Sequence, residues 1–160
     1  MRRGSLLERF GYLEHLRAAP LRVASAVPVG FRIPANCSSM GKAMLACLPE
    51  DERARILRGR PLEALTGRSI TDPDALGVEL DKIRRRGFAI NDEEAAFGLR
   101  SVASAVRDGF GRPVAAINIA VPASQVSAAE LERAIAPLVV RVAAVVSGEL
   151  GFRQDLAATG

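Results

Sequence analysis

The chain has 160 residues, of which 49% are hydrophobic and 25% charged, and its formal net charge is +4. This composition is typical of a globular protein, and the length suits one domain with a substantial core. No run approaches the roughly 20 apolar residues that a membrane-spanning helix needs, and no secretory apolar stretch begins the chain, so we expect a cytoplasmic protein. With one histidine and two cysteines, the sequence predicts no metal site and no cofactor.

The basic excess lies in the first half of the chain, notably at Arg53, Arg55, Arg58 and Arg60. A nucleic-acid surface would interleave such charges with aromatic side chains or place them on a recognition helix. Aromatic residues are only 4% of the chain. The pattern therefore favours a solvated, arginine-rich helix over a DNA-binding surface.

The first elements are predicted from the proline boundaries and the apolar runs. Residues 1–11 form a poorly defined lead-in, and strands are predicted at residues 12–16 and 21–27. A helix should open at the serine pair 38–39 and run to about Leu48, because serine caps the first free backbone N–H groups. A second short helix should begin at Pro49 and end near residue 59.

A third helix is predicted to begin at the Thr-Asp-Pro-Asp sequence of residues 71–74 and to end at Gly87. Its apolar stripe is Leu76, Leu80 and Ile83. A strand follows over residues 88–91. Ser127 and Glu130 form a capping box for the last helix, whose apolar stripe is predicted as Leu131, Ile135, Leu138, Val142 and Val145. Pro137 should bend or interrupt that helix.

Two strands between these helices carry a face of small and polar side chains. Side chains alternate along a strand, so Leu99 and Ser101 share one face, as do Asn118 and Ala120. If Arg107 pairs with the residue at 112, across a glycine-rich turn, Ser101 lies opposite Asn118 and Leu99 opposite Ala120. This face either lines a pocket for a small polar ligand or simply faces solvent. The fold class is α/β or α+β, with a largely antiparallel sheet.

Three segments together resemble the effector-binding domain of IclR-family bacterial transcription regulators. They are residues 29–46, residues 83–94 with 98–100, and residues 106–108 followed by 113–122. They stand in the family's order and spacing, and the resemblance covers about residues 12–150. The Arg-Ile-Pro-Ala-Asn-Cys-Ser-Ser-Met-Gly-Lys sequence further resembles the subgroup of regulators that control aromatic catabolism.

The resemblance implies a curved antiparallel sheet with helices packed on it, similar to GAF and profilin domains, over residues 12–152, with a tail at 153–160. It also implies a small organic acid as effector and association as a homodimer or tetramer. We expect the family's N-terminal winged helix-turn-helix domain to be absent from this sequence, so that DNA would be bound only through that missing domain.

Carried over position by position, the resemblance implies ligand-binding roles for Arg22, Ser25, Ser39, Met40, Gly41, Asn91, Leu99, Ser101, Asn118 and Ala120. Glyoxylate- or pyruvate-sensing members have Asp at position 91, Cys at 101, and Ser at 118 and 120. An asparagine at position 91 in place of the aspartate repels an anionic ligand less. This difference favours a larger organic acid as the ligand, such as an aromatic one. Gly41 would allow close approach of a ligand or strand.

An enzyme and an interaction module are the two alternatives to a ligand sensor. No nucleophile elbow, phosphate-binding loop or dinucleotide fingerprint is present, so we predict no enzyme and no catalytic residues. The acidic run at residues 92–94 is interpreted as a structural turn. An interaction module that binds no ligand is the alternative to a sensor, because an apolar face on the last helix would support association.

Overall fold

The structure is a computed structural model that describes residues 32–58 and 61–153. A 3₁₀ turn at Ala35–Cys37 opens the described part. The helices are α1 (Ser39–Cys47), α2 (Glu50–Arg58), α3 (Pro73–Arg86), α4 (Ala128–Glu130) and α5 (Ala136–Glu149), with a π-helical turn at Leu131–Ile135. The strands are β1 (Ala89–Asp92), β2 (Leu99–Arg107) and β3 (Pro113–Pro122). The strands predicted at 12–16 and 21–27 lie outside the described residues.

The described strands form one antiparallel sheet in the order β1-β2-β3, which confirms the predicted α+β class. Helices cover both faces of this sheet. On one face, α1 and α3 bury an apolar cluster with small strand residues such as Ala89 and Ala103. On the other, Val102 packs against Leu131 and Val139 of the last helical segment. The small side chains of the first face let α1 lie close to the strands.

The helix boundaries follow the predicted capping residues. The Ser38 hydroxyl accepts a hydrogen bond from the N–H of Gly41 at 3.0 Å, and α1 begins at the next residue. At the start of α3, the Asp72 carboxylate accepts a hydrogen bond from the N–H of Ala75 at 2.7 Å. Gly87 ends α3 with φ of 82°, a left-handed conformation that glycine adopts without steric penalty. The whole predicted stripe of α3 is buried, at Leu76, Leu80 and Ile83.

The hairpin of β2 and β3 has the predicted faces but a different register. Ser101 lies opposite Ala120 rather than Asn118, and Leu99 lies opposite Pro122 rather than Ala120. The predicted pairs were wrong by two residues. Because the side-chain period of a strand is two, a shift of two leaves every side chain on its predicted face.

The hairpin turn explains this shift. The N–H of Asp108 donates to the carbonyl of Arg112 at 3.0 Å, and the Asp108 carboxylate accepts from the N–H of Arg112 at 3.0 Å. Arg112 is thus used inside the turn, and Arg107 pairs with Pro113 instead. A bulge immediately before Arg107 in the pairing adds the second residue of the shift.

The last helical segment buries a different stripe from the predicted one. After Leu131, which is buried as predicted, the predicted positions Leu138, Val142 and Val145 are exposed. The core positions are instead Ala136, Val139 and Ala143. The prediction of an apolar core stripe through Leu138, Val142 and Val145 was therefore wrong.

A π-helical turn is the physical reason. The N–H of Ala136 donates to the carbonyl of Leu131, five residues earlier, so that one extra residue fits into the turn. Pro137, which follows at once, has no N–H to donate to the preceding turn. The interruption predicted at Pro137 is confirmed. Its consequence is that the buried positions shift by one residue along α5.

Arg53 of α2 is buried, although the helix was predicted to expose its arginines. Its guanidinium lies 2.9 Å from the Asp81 carboxylate on α3. The Nη1 atom has no hydrogen bond of good geometry, so the contact is a charge pair rather than an aligned hydrogen bond. Arg55 and Arg58 are exposed, as expected. Part of the arginine pattern therefore serves the packing of α2 on α3.

A buried ion pair joins α1 to the loop between β1 and β2. The Lys42 ammonium lies 2.6 Å from both carboxylate oxygens of Glu94, and the lysine side chain is 1% exposed. The N–H of Glu94 donates to the side-chain oxygen of Asn91 at 2.8 Å, and Thr66 donates to the Glu93 carbonyl at 2.7 Å. The loop is thereby held with its carboxylate toward α1.

Burial raises the pKa of the Glu94 carboxyl above its usual value, and the nearby Lys42 charge opposes that shift. A carboxyl with a higher pKa in the folded state binds more protons there than in the unfolded state. The stability that this binding supplies is fully present below pH 4.5, the ordinary pKa, and is lost as pH rises through the folded pKa.

We expect Lys42→Met to lower the free energy of unfolding by about 3–5 kcal/mol, because it leaves a buried carboxylate without a partner. The double variant Lys42→Met with Glu94→Leu should recover most of that loss, since it removes both charges. Urea unfolding at neutral pH measures both. Lys82→Met, at an exposed lysine 3.8 Å from Glu79, is the matched control and should change stability by less than about 1 kcal/mol. Equal losses at the two lysines would contradict the buried pair.

We expect Glu94→Gln to flatten part of the pH dependence of stability. The free energy of unfolding of the parent chain, relative to the variant, should fall as pH rises from 4 to 8, because the raised pKa favours the protonated folded state. Urea unfolding at several pH values measures this difference, with Glu63→Gln, at an exposed glutamate, as the control. A difference that grows with pH would show that Lys42 outweighs burial.

Candidate functional site

The candidate site lies where the first turn of α1 meets the sheet. The hydroxyls of Ser39 and Ser101 are 2.7 Å apart, and either can be the donor. Both serines are buried. In the sheet, Ser101 has Asn91 of β1 on one side and Ala120 of β3 on the other. A row of two polar residues and one small residue therefore crosses the three strands beneath the start of α1.

The start of α1 brings partial positive charge to this row. The first N–H groups of a helix have no carbonyl acceptor within it, and the N–H of Gly41 is already taken by the Ser38 hydroxyl. The earlier N–H groups, at Ser39 and Met40, are the donors that remain for a ligand at this end of the helix. An anion is favoured there by the helix dipole as well as by the hydrogen bonds.

Gly41 allows the 3₁₀ turn at Ala35–Cys37 to approach α1 closely, whereas we expected a ligand or a strand there. A β-carbon at this position would lie 2.5 Å from the backbone of Ala35, so the 3₁₀ turn at Ala35–Cys37 fills the space beside it. We expected a ligand or a strand to use that space. The role of Gly41 in this structure is to let the 3₁₀ turn pack against α1.

Asn91 is buried and already has a structural role. Its side-chain oxygen accepts hydrogen bonds from the N–H groups of Glu94, at 2.8 Å, and Ala95, at 3.4 Å. This interaction shapes the turn after β1, where Glu93 has a φ of 61°. Asn91 therefore holds the loop that carries Glu94.

The other predicted residues lie along the same face but farther from the serine pair. Asn118 is half-buried and pairs with Ala103, two positions along β3 from Ala120, which is exposed. Leu99 begins β2 and is half-buried. Met40, also half-buried, packs on the edge of the apolar cluster under α1. Arg22 and Ser25 lie outside the described residues.

Sequence reasoning missed Lys42 and misjudged the importance of Glu94. Lys42 is the one charged residue of α1, in a helix whose residues are otherwise apolar, small or hydroxyl-bearing. It follows Ser39 by three residues, which places both on one side of the helix. The sequence signal that could have indicated a buried lysine was a single charged residue in an otherwise uncharged helix. Because the Lys42 ammonium and the Glu94 carboxylate carry opposite charges, this ion pair adds no net charge beside Ser39 and Ser101.

The acidic run at residues 92–94 has structural contacts, as interpreted from the sequence. Asp92 accepts from the Arg68 guanidinium at 2.8 Å, and Glu93 accepts from the N–H of Gly98 at 2.8 Å. Within residues 32–58 and 61–153, no group of three or more His, Cys, Asp or Glu side chains could hold a metal ion. In the same ranges, no helix is long and apolar enough to cross a membrane.

Comparison with known proteins identifies the domain. The family model described as bacterial transcriptional regulator IclR, C-terminal, matches residues 8–147. The Pca regulon regulatory protein of Pseudomonas putida is 34% identical over 112 residues, which cover 70% of this chain and 38% of that protein. The chain thus spans less than half the length of this curated relative.

Solved structures agree in fold. The putative transcriptional regulator RHA06195 from Rhodococcus sp. RHA1 is 35% identical, with a TM-score of 0.74, covering 79% of this chain and 51% of that one. The inducer-binding domain of PobR from Acinetobacter, a double mutant in complex with 3-hydroxybenzoic acid, is 26% identical, with a TM-score of 0.70 over 85% of this chain and 77% of that one. The chain therefore belongs to the IclR family of bacterial transcriptional regulators and corresponds to its C-terminal effector-binding domain.

Proposed function

We propose that this domain senses a small organic acid bound between α1 and the sheet. The observation that carries the proposal is the buried hydroxyl pair of Ser39 and Ser101, 2.7 Å apart at the N-terminus of α1. A carboxylate there would accept from the first N–H groups of the helix. Both hydroxyls can donate or accept, so each can turn from the other toward a ligand oxygen.

The charge around the site suits an anion. Lys42 neutralises Glu94, a buried acidic side chain three residues after Asn91, through contacts of 2.6 Å. Asn91 itself is neutral, so no unpaired carboxylate from these two positions would repel the ligand. The helix dipole then supplies the attraction, which is strongest where water is excluded.

An aromatic acid is the ligand class that we propose. The sheet face beside the serines carries small side chains, with Ala103 and Ala120 next to half-buried Asn118. Such a face leaves room for a flat carbon skeleton while Asn118 offers an amide to a ring substituent. The related PobR domain was solved with 3-hydroxybenzoic acid, which supports this class.

The regulatory output that we propose is DNA binding. We place the effector-binding unit at residues 12–152 and propose that a winged helix-turn-helix domain of a longer protein binds DNA. The ligand would shift the population of conformations that this DNA-binding domain recognises. The protein would act in the cytoplasm, as a homodimer or tetramer, and without catalysis.

We expect a hydroxybenzoate to stabilise the protein against heat. A panel of 3-hydroxybenzoate, 4-hydroxybenzoate, protocatechuate, glyoxylate and pyruvate separates aromatic acids from short ones in a thermal-shift experiment. At 100 times its dissociation constant a ligand adds about 2.7 kcal/mol, which corresponds to a rise of several degrees. Asn118→Leu and Ser101→Ala should each weaken binding roughly 5- to 10-fold in calorimetry, the effect of losing one hydrogen bond.

Ile119→Leu is the matched control, because this neighbouring side chain lies on the opposite face of β3. It should leave the dissociation constant unchanged. The proposed site would be wrong if a hydroxybenzoate bound equally well to Asn118→Leu and to the parent chain. The sensor function itself would be in doubt if none of the five acids raised the melting temperature.

A further inference from the structure

The two serines of the proposed site are closed off from solvent. Ser39 is 2% exposed and Ser101 is 4% exposed. A ligand can therefore reach their hydroxyls only if part of the surrounding protein moves. Segments with few buried apolar contacts open at the lowest free energy, so the question is which such segment lies beside the start of α1.

The segment at residues 63–70, between α2 and α3, has this character and is called the strap below. It contains no helix or strand, and most of its side chains are exposed. Leu65, in its first half, is 46% exposed. Ile70, at its end, packs on the apolar cluster under α1. Between its ends the strap is held to the rest of the protein by hydrogen bonds and surface charges rather than by an apolar core.

The two ends of the strap are attached to the 3₁₀ turn that leads into α1. The buried amide of Asn36 donates to the carbonyl of Glu63 at 2.7 Å and to that of Ile70 at 3.0 Å. The Cys37 thiol donates to the same Glu63 carbonyl at 3.2 Å, and Cys37 is 0% exposed. Since the 3₁₀ turn packs beside Gly41, this attachment lies next to the first turn of α1.

The middle of the strap is attached to the loop that follows β1. The Thr66 hydroxyl donates to the carbonyl of Glu93 at 2.7 Å, and the Ser69 hydroxyl donates to the carbonyl of Glu94 at 2.7 Å. Ser69 also accepts from the N–H of Thr66 at 3.0 Å, so the two hydroxyls act together. Because Glu94 pairs with Lys42, the loop that receives these hydrogen bonds is itself fixed to α1.

We propose that the strap is a gate that opens to admit a ligand to the serine pair and closes over it. The 3₁₀ turn directly precedes the start of α1, and the loop after β1 follows Asn91, which pairs with Ser101 in the sheet. The strap runs between these two elements, so it crosses the end of α1 at which a ligand would enter. Thr66 and Ser69 hold it closed. This inference rests on the proposed function, because it concerns access to the same site.

Two thiols report the opening of the strap in the ligand-free chain. Cys37 contacts the strap, and Ser101→Cys places a second thiol in the proposed site. Alkylation of each thiol by iodoacetamide, a small neutral reagent, is followed by mass spectrometry in a Cys47→Ala background. A buried thiol reacts only while the protein is open. We expect Thr66→Val to raise both rates by the same factor, about 3- to 10-fold, the effect of losing one hydrogen bond.

Thr71→Val is the matched control, because Thr71 is exposed and lies just beyond the strap. It should leave both rates unchanged. Ser69→Ala removes a second hydrogen bond of the strap and should act in the same direction as Thr66→Val. Low concentrations of urea separate opening of the strap from global unfolding, since a local opening exposes little surface and depends only weakly on urea. Circular dichroism checks that each variant is folded.

The inference is overturned if Thr66→Val speeds alkylation of Cys37 but not of the thiol in Ser101→Cys, because the strap then covers the 3₁₀ turn and not the site. It is also overturned if both thiols react with the urea dependence of global unfolding, or if Thr66→Val and Thr71→Val give equal rates. No acid is present in these measurements. A failure of the proposed acids to bind would leave the rates as they are, so the gate and the sensor function are tested separately.

Discussion

A lysine ammonium that is 1% exposed needs a carboxylate, and this requirement organises the site. Lys42 finds Glu94, which is presented by a loop that Asn91 shapes through its side-chain oxygen. Removing either charge alone would leave the other buried and unpaired, so each group stabilises the fold only in the presence of the other. The pair fixes α1 against the loop between β1 and β2. Ser39 lies one helical turn before Lys42 on α1, and its hydroxyl forms a hydrogen bond with the hydroxyl of Ser101.

This arrangement separates two electrostatic tasks. The buried ion pair of Lys42 and Glu94 joins α1 to the loop between β1 and β2 and has no net charge. The start of α1 supplies the attraction for an anion through N–H groups and the helix dipole. A ligand between Ser39 and Ser101 would replace their mutual hydrogen bond with its own. We expect a ligand-induced movement of α1 to be passed to the loop after β1 through the contact between Lys42 and Glu94.

Local rules predicted the parts of the fold that depend on short-range chemistry. The caps at Ser38 and Asp72, the stop at Gly87 and the buried stripe of α3 followed from residue type and spacing, and so did the faces of the hairpin. The register depended on how Asp108 and Arg112 close the turn, which spacing alone does not reveal. The π-helical turn moved the stripe of α5 by one residue. The buried pair joins residues 52 positions apart, a contact beyond the reach of a periodic pattern.

The proposed site is the start of α1, where we expect an acid to bind against the polar face of the sheet. Amide chemical-shift mapping by NMR, during titration with 4-hydroxybenzoate, tests it most directly because it locates the ligand residue by residue. We expect the largest shifts at the N–H groups of Ser39 and Met40, with smaller ones along β2 at Ser101. Saturable shifts confined to another part of the molecule, such as the outer face of α5, would contradict it.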